Sequence, residues 1–269
     1  MPTLGIDVGT RRIRFSLFEN NKFFLEMAVK KEELEEVLRL YSGLGIDNVC
    51  IAGGYQWKEL DGLGALSDDT VAFGSNGESH GLRRLIRKSS CLFKRVKLLP
   101  SGGASGTLSE KFLINSLDTG TPDKVAKANY VYWIQGIKTF TLIDKGMFVT
   151  LLYVDDGSVT NFISATRGMP SPLSPGIVDL ELLTVYRWPK SKRDIWDSGV
   201  PPEVTEAWIE FLEPTFIGEK IVCPSNVCDE FSAARGAALW CKGYKLKLMF
   251  SDNYERYLTI KAQRGKVSP

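Results

Sequence analysis

Leu4-Gly5-Ile6-Asp7-Val8-Gly9-Thr10 opens the chain with an apolar run that closes on an Asp, and alternation then continues through Ile13, Phe15 and Leu17 to a polar turn at Glu19-Asn20-Asn21. Lys22-Phe23-Phe24-Leu25 resumes beyond the turn. The same order returns 137 residues on, as Thr141-Leu142-Ile143-Asp144-Lys145-Gly146, then Val149, Leu151, Leu152, Tyr153 and Val154, a turn at Asp155-Asp156-Gly157, and Val159 onward. At this offset Asp7 falls on Asp144 and Gly9 on Gly146. Period-two alternation closed by an Asn-Asn or Asp-Gly turn predicts a strand–hairpin–strand unit. An Asp followed two residues later by Gly, in the tight turn after a first strand, is a phosphate-facing device. Gly lets the backbone approach a phosphate closely, and the carboxylate can hold a hydrated Mg²⁺ ion.

Each hairpin is followed by helix and strand material. Leu34, Val37, Leu38 and Tyr41 give one apolar helical face within Lys30 to Tyr41, ahead of a strand at Val49-Cys50-Ile51-Ala52. The second half offers a Pro- and Gly-rich stretch from Gly168 to Gly176, a helical segment from Val178 to about Tyr186, a strand at Lys220-Ile221-Val222-Cys223 and a helix from Ser232 to Gly243. Strands paired in hairpins and then alternating with helices predict an α/β protein with mixed sheets. The domain boundary is expected where a helix begins, near residue 125, dividing 1–124 from 125–269. Leu246, Leu248 and Phe250 suggest a last strand, and Tyr254, Tyr257 and Leu258 a short helix.

Composition narrows the function. Thirty-four basic residues against thirty-two acidic ones give a net charge of +2, which offers no electrostatic case for nucleic acid or a membrane surface. A single His, His80, argues against a His-ligated metal centre. No apolar run is long enough for a transmembrane helix, and no signal-type core precedes the first strand. Five cysteines without a Cys-x-x-Cys pair predict free thiols used for packing, and with them a cytoplasmic protein.

The paired Asp-x-Gly hairpins resemble those of the actin, sugar-kinase and 70-kDa heat-shock chaperone (ASKHA) superfamily, in which two ribonuclease-H-like domains close on ATP. Ser232-Ala233-Ala234-Arg235-Gly236-Ala237-Ala238-Leu239 resembles the superfamily's adenosine-side helix. A more specific stretch, Asn115-Ser116-Leu117-Asp118-Thr119-Gly120-Thr121-Pro122-Asp123-Lys124, is similar to a segment of a mainly archaeal family of predicted butyrate kinases. Leu98-Leu99-Pro100, Val178-Asp179-Leu180-Glu181 and Ser198-Gly199-Val200 agree with that family's flanks, so the resemblance spans most of residues 4 to 244.

The resemblance implies ATP and Mg²⁺ held between two domains, and phosphoryl transfer to a small acceptor, a carboxylate if the butyrate-kinase likeness extends to substrate. Asp7 and Asp144 would organise the metal. Gly9, Thr10, Arg11, Gly146, Gly120 and Thr121 would border the phosphates, and Ser232, Arg235 and Gly236 the nucleoside. Asp118 would face the acceptor as base or metal ligand, and Asp7 and Asp118 would together carry the catalysis. Other readings stay open. Thr121-Pro122-Asp123 is also a plain helix start, with a cap, a first-turn Pro and an acid at the positive end of the dipole. Gly236 could approach either adenine or a neighbouring helix. His80, in a polar loop, reads as solvent-facing, and the Gly-rich Ser101 to Thr107 as a connector. The second loop, Asp144-Lys145-Gly146-Met147, lacks the Gly-Gly-Thr of strong ATPases, and Pro224-Ser225-Asn226 stands where the superfamily has Gly-Gly before its last helix. Those departures support an alternative: a nucleotide-binding or inactive scaffold that acts through a protein partner. A homodimer is left open.

Overall fold

A computed structural model describes residues 1–9, 11–54, 56, 58–67, 82–102, 120–146, 148–164, 169–172 and 199–247. β1 (Thr3–Val8), β2 (Ile13–Glu19) and β3 (Lys22–Val29) form an antiparallel meander, followed by α1 (Leu34–Ser42) and β4 (Asn48–Ala52). β5 (Leu60–Asp61), α2 (Leu82–Leu92) and β6 (Arg95–Leu98) come next. The later part runs α3 (Pro122–Tyr130), β7 (Phe140–Lys145), β8 (Val149–Asp155), β9 (Ser158–Ile163), α4 (Pro202–Leu212), β10 (Glu219–Cys223) and α5 (Ser232–Lys242).

Two mixed sheets result, ordered β3-β2-β1-β4-β6-β5 and β10-β7-β8-β9. Taken from the other edge, the second reads β9-β8-β7-β10, which repeats the first four strands of the first. In each, three strands are antiparallel and a fourth joins the first in parallel. Asp7 pairs across to Arg14 and Ala52, and Asp144 to Thr150 and Cys223. The sequence repeat is therefore a repeat of ribonuclease-H-like sheets. β7 lies on β1 residue for residue at the 137-residue offset, whereas β8 starts one residue early, three residues separating it from β7 where four separate β2 from β1.

Strand alternation sorts the side chains into layers. On one face of the first sheet Leu4, Ile6, Val49 and Ile51 pack with Leu34, Leu38 and Tyr41 of α1 and Leu85 and Ile86 of α2. The opposite face carries Phe18, Cys50 and Ala52 into a second core with α3 and α5. The second sheet sends Phe140, Leu142, Leu152 and Phe162 into that same core, while Ile143, Val149 and Leu151 cover Ile209 of α4. The order is helix pair, sheet, helix pair, sheet, helix, with α3 and α5 as a shared middle layer.

Missing side chains make that layer thin. A Cβ on Gly5 would lie 1.8 Å from the Ala234 carbonyl oxygen, and one on Gly236 would lie 1.7 Å from that of Ala126. β1 thus rests on the backbone of α5, and α5 on the backbone of α3. Asn129 ties the helices by donating to the Gly236 and Tyr244 carbonyls at 3.0 and 2.8 Å, and the Thr3 hydroxyl donates to the Ala238 carbonyl at 3.1 Å. Glu59 anchors the far end of α5, accepting from Trp240 Nε1 at 2.8 Å and from Lys97 and Lys245 at 2.6 Å each. Although it comes from the later half of the chain, α5 lies on the first sheet, so the two strand repeats share one core.

Several sequence expectations need adjustment. The helix expected from Lys124 begins at Pro122, and a wider π-helical turn over Val131–Gln135 carries it to Gly136 at φ 72°. Cys223 and Cys228 are not free thiols but a disulfide. The chain doubles back after β10, with Ser225 N–H donating to the Cys228 carbonyl at 2.7 Å, and the two Cα atoms come within 5.1 Å. Cys50, Cys91 and Cys241 are free. The helix expected at 178–186, His80, most of the Gly-rich loop, and the strand end and helix expected beyond residue 247 lie outside the described residues. No helix among the described residues is long and apolar enough to cross a membrane.

Because backbone cannot yield as a side-chain tip can, Gly236→Ala and Gly5→Ala should each cost about 3 kcal/mol or more in denaturant unfolding, at the upper end of overpacking penalties. Gly64→Ala, with nothing within 4 Å of its added Cβ, should cost far less.

Candidate functional site

Alternation also places the two acids. Thr3, Gly5 and Asp7 share the face of β1 that meets α5, and Phe140, Leu142 and Asp144 share the face of β7 that meets the middle layer. Each Asp is the penultimate residue of its strand. Their side chains therefore approach the start of α3 from opposite sheets. That helix opens as its sequence predicts: Thr121 is the N-cap with extended backbone (φ −60°, ψ 157°) and Pro122 takes the first position. The Thr121 hydroxyl bonds Asp123 rather than capping a backbone N–H. Lys124 and Lys127, one turn apart, present their ammonium groups on the same side of the helix.

The Asp144 carboxylate is 1% exposed as a residue and has a lysine on each oxygen: Lys127 at 2.5 Å on Oδ1, and Lys124 on Oδ2. Lys124 also bonds Asp123 Oδ2 at 2.8 Å. Burial pushes the Asp144 carboxyl up, but Lys124 and Lys127 outweigh it and hold the group down at about 2. Burial alone would lower the Lys124 ammonium, and Asp123 with Asp144 instead hold it above the ordinary lysine range.

Asp7 behaves differently. Its Oδ2 accepts from Arg14 Nη1 at 3.1 Å, while its Oδ1 is buried with no hydrogen-bond partner among the described residues. Burial, and next the negative charge of Asp123, raise it from 3.8 to about 6, against the opposing pull of Arg14, Lys127 and Lys124. Both hairpin acids thus sit in the field of the same two lysines. Gly9 leaves room for Arg14 to reach Asp7, since a Cβ there would meet Arg14 Nη1 at 2.7 Å. Gly146 borders the cluster, its absent Cβ 3.9 Å from Asp144 Oδ2 and 4.0 Å from Lys124 Nζ.

Other predicted residues fall elsewhere. Arg11 is exposed on the turn beside Gly9. Gly120, at φ 70°, is buried beside Leu152 and gives its carbonyl to Gly102 N–H at 2.8 Å. Thr10 and Asp118 lie outside the described residues. The trio assigned to a nucleoside has structural partners instead. Ser232 accepts from the Asp229 N–H at 2.9 Å, and Gly236 is filled by α3. Arg235 makes a bidentate pair with Glu26 of β3, 2.7 Å to each oxygen, and bonds Asp229 at 2.9 Å. Small residues that could admit an adenine here admit a helix.

Lys127 escaped the sequence reading, although its spacing from Lys124 on a helix starting at Pro122 could have shown it. Arg14 could have been found as the inward-facing cation opposite Asp7 in the hairpin.

A hydrated Mg²⁺ ion on Asp7 and Asp144 was the expectation, and the donor set does not fit it. Both Asp144 oxygens are held by ammonium groups and one Asp7 oxygen by a guanidinium. Asp7, Asp123 and Asp144 are balanced by Arg14, Lys124 and Lys127 before any ion is added. Among the described residues no cluster of three or more His, Cys, Asp or Glu side chains is arranged to hold a metal. What the arrangement does offer is a charge-dense junction at a helix start, with three cations and three carboxylates drawn from both sheets and from α3.

No protein-family model and no curated protein sequence matches the chain. Among solved structures, it is similar to an acetate kinase from Entamoeba histolytica (TM-score 0.45, 8% identity, 74% of this chain and 64% of that one). It is likewise similar to a ROK hexokinase from Thermus thermophilus (TM-score 0.41, 13% identity, 89% and 98%) and a propionate kinase from Francisella tularensis (TM-score 0.44, 12% identity, 70% and 65%). The chain thus spans slightly under two thirds of the two carboxylate kinases' length.

The two acids should respond oppositely to neutralisation. Above pH 6 Asp7 is charged and its burial costs stability. Between 6 and 3.8 the folded protein takes up a proton that the unfolded chain does not, so this cost fades as pH falls. Asp7→Asn should therefore raise the unfolding free energy at pH 7.5, by roughly 3 kcal/mol at most, with the gain shrinking toward pH 4 in a thermal-melt series. Asp144→Asn takes the ion-pair partner from Lys127, leaves Lys124 with Asp123 alone, and should cost about 3 kcal/mol at pH 7.5.

Proposed function

We propose that the chain binds a nucleoside triphosphate between its two sheets and transfers the terminal phosphoryl group to a small acceptor, a carboxylate in the first instance. One observation carries this reading: equivalent acids of two repeated hairpins, Asp7 and Asp144, converge on one helix start that also carries Lys124 and Lys127. Phosphoryl transfer asks a protein for positioning and charge neutralisation rather than a covalent nucleophile. Lys124, Lys127 and Arg14 are the inward cations, and the turns at Gly9 and Gly146 bring backbone close. The carboxylate acceptor rests on the resemblance of Asn115–Lys124 to the butyrate-kinase-like segment. Asp118 is the acceptor-facing residue that this resemblance supplies.

One feature favours a second reading, a nucleotide-binding scaffold that works through a protein partner. Asp144 is already neutralised on both oxygens, in a loop without the Gly-Gly-Thr of strong ATPases.

Thermal unfolding with ATP, joined to a transfer assay on acetate, propionate and butyrate, separates the readings. A ligand at a hundred times its dissociation constant adds about 2.7 kcal/mol, enough to see. The kinase reading expects an ATP-induced rise in Tm and acyl phosphate formation that falls at least a hundredfold in Asp7→Ala while that variant stays folded. Binding without turnover on any acceptor would support the scaffold, and no Tm rise at millimolar nucleotide would end both readings.

A further inference from the structure

We propose that Lys124 is a built-in cation at the junction of the two sheets, standing where a divalent ion would otherwise be needed, so that a polyphosphate bound there is taken up without a metal. The part that concerns ligand rests on the nucleotide-binding reading above; the part that concerns Lys124 does not.

The geometry points this way from several sides. Lys124 Nζ bonds Asp123 at 2.8 Å and also Asp144, and Asp7 lies within the field of its charge. Two carboxylates, from the first turn of α3 and from β7, therefore clasp one ammonium group, so the cation that such a carboxylate pair calls for is already supplied by the chain. The side chain is only 11% exposed, so its charge is spent inside the junction and not on solvent. Lys127 duplicates the arrangement on the other Asp144 oxygen with 15% exposure. Asp7, 4% exposed, has a buried Oδ1 without a hydrogen-bond partner among the described residues.

A tethered ammonium carries one charge to a divalent ion's two, but its entropy of localisation is settled on folding and it cannot be chelated away. The remaining positive charge comes from neighbours. Arg14 holds Asp7, and Arg11 and Arg12 stand exposed on the adjoining turn with no ion-pair partner among the described residues. Inorganic tripolyphosphate and ATP share the chemistry such a set would recognise, and only ATP adds a nucleoside.

Two measurements test this. In the first, Tm of the wild type is followed with tripolyphosphate and with ATP, each in EDTA and in excess Mg²⁺. Equal shifts in EDTA and Mg²⁺ are expected, and a shift that needs Mg²⁺ would overturn the proposal while leaving the nucleotide reading intact. No shift in either condition would instead remove the nucleotide reading, and the metal-free ligand claim with it. In the second, Mn²⁺ alone is titrated into wild type and Lys124→Ala. Loss of the ammonium should free Asp123 Oδ2 and Asp144 Oδ2, so Mn²⁺ should bind the variant at least tenfold more tightly. Equal affinities would overturn the built-in cation. Should Lys124→Ala not fold, the wild type decides: Mn²⁺ bound at micromolar concentration and lost in Asp144→Asn refutes the proposal, and no such binding supports it.

Discussion

The middle layer is two helices deep and no thicker because two side chains are absent. Gly5 lets β1 rest on the α5 backbone, and Gly236 lets α5 rest on the α3 backbone, at distances no Cβ could share. Two sheets that would otherwise be separated by ordinary helix packing of about 8–10 Å per contact are drawn toward a common line. The core formed there is continuous, taking Cys50 and Ala52 from one sheet and Leu142 and Phe162 from the other. Everything proposed for the site depends on this approach, since it brings the penultimate residues of β1 and β7 to the same end of α3.

Electrostatics then sets the character of that end. Two buried carboxylates and a half-buried third can coexist only if they are neutralised, and the chain does this with its own lysines and arginine. The two acids divide the outcome unevenly. Asp144 has an ammonium group ion-paired to each oxygen and stays charged far into acid, whereas only one Asp7 oxygen has an ion-pair partner among the described residues. A group held at a cost to stability, beside one that secures it, is the asymmetry expected where structure gives way to function.

Much of this was legible in the sequence, and the reasons are local. The 137-residue repeat, the alternation and the turn residues are short-range signals, and they located β1, β2, β7 and β8. Thr121-Pro122-Asp123 announced the start of α3. What was not legible required knowing which elements touch. Ser232, Arg235 and Gly236 make a small-residue helix start that suits a nucleoside or a packed neighbour equally, and only the three-dimensional contact shows that the space at Gly236 is taken by α3. The Cys223–Cys228 disulfide depends on a chain reversal with no Cys-x-x-Cys spacing to signal it. Lys127 became significant only once α3 was seen to face β7.

The central claim is that Asp7 and Asp144, from different halves of the chain, act on one another through the shared lysines. A double-mutant cycle on Asp7→Asn and Asp144→Asn, read as unfolding free energy at pH 7.5, tests it most directly. With Asp144 gone, Lys124 keeps Asp123 and Asp7 gains weight as a counter-charge for Lys124 and Lys127. The double variant should therefore be less stable than the sum of the single effects by about 1 kcal/mol or more. Additivity within about 0.4 kcal/mol would mean that the two acids share no partner, and would contradict the account.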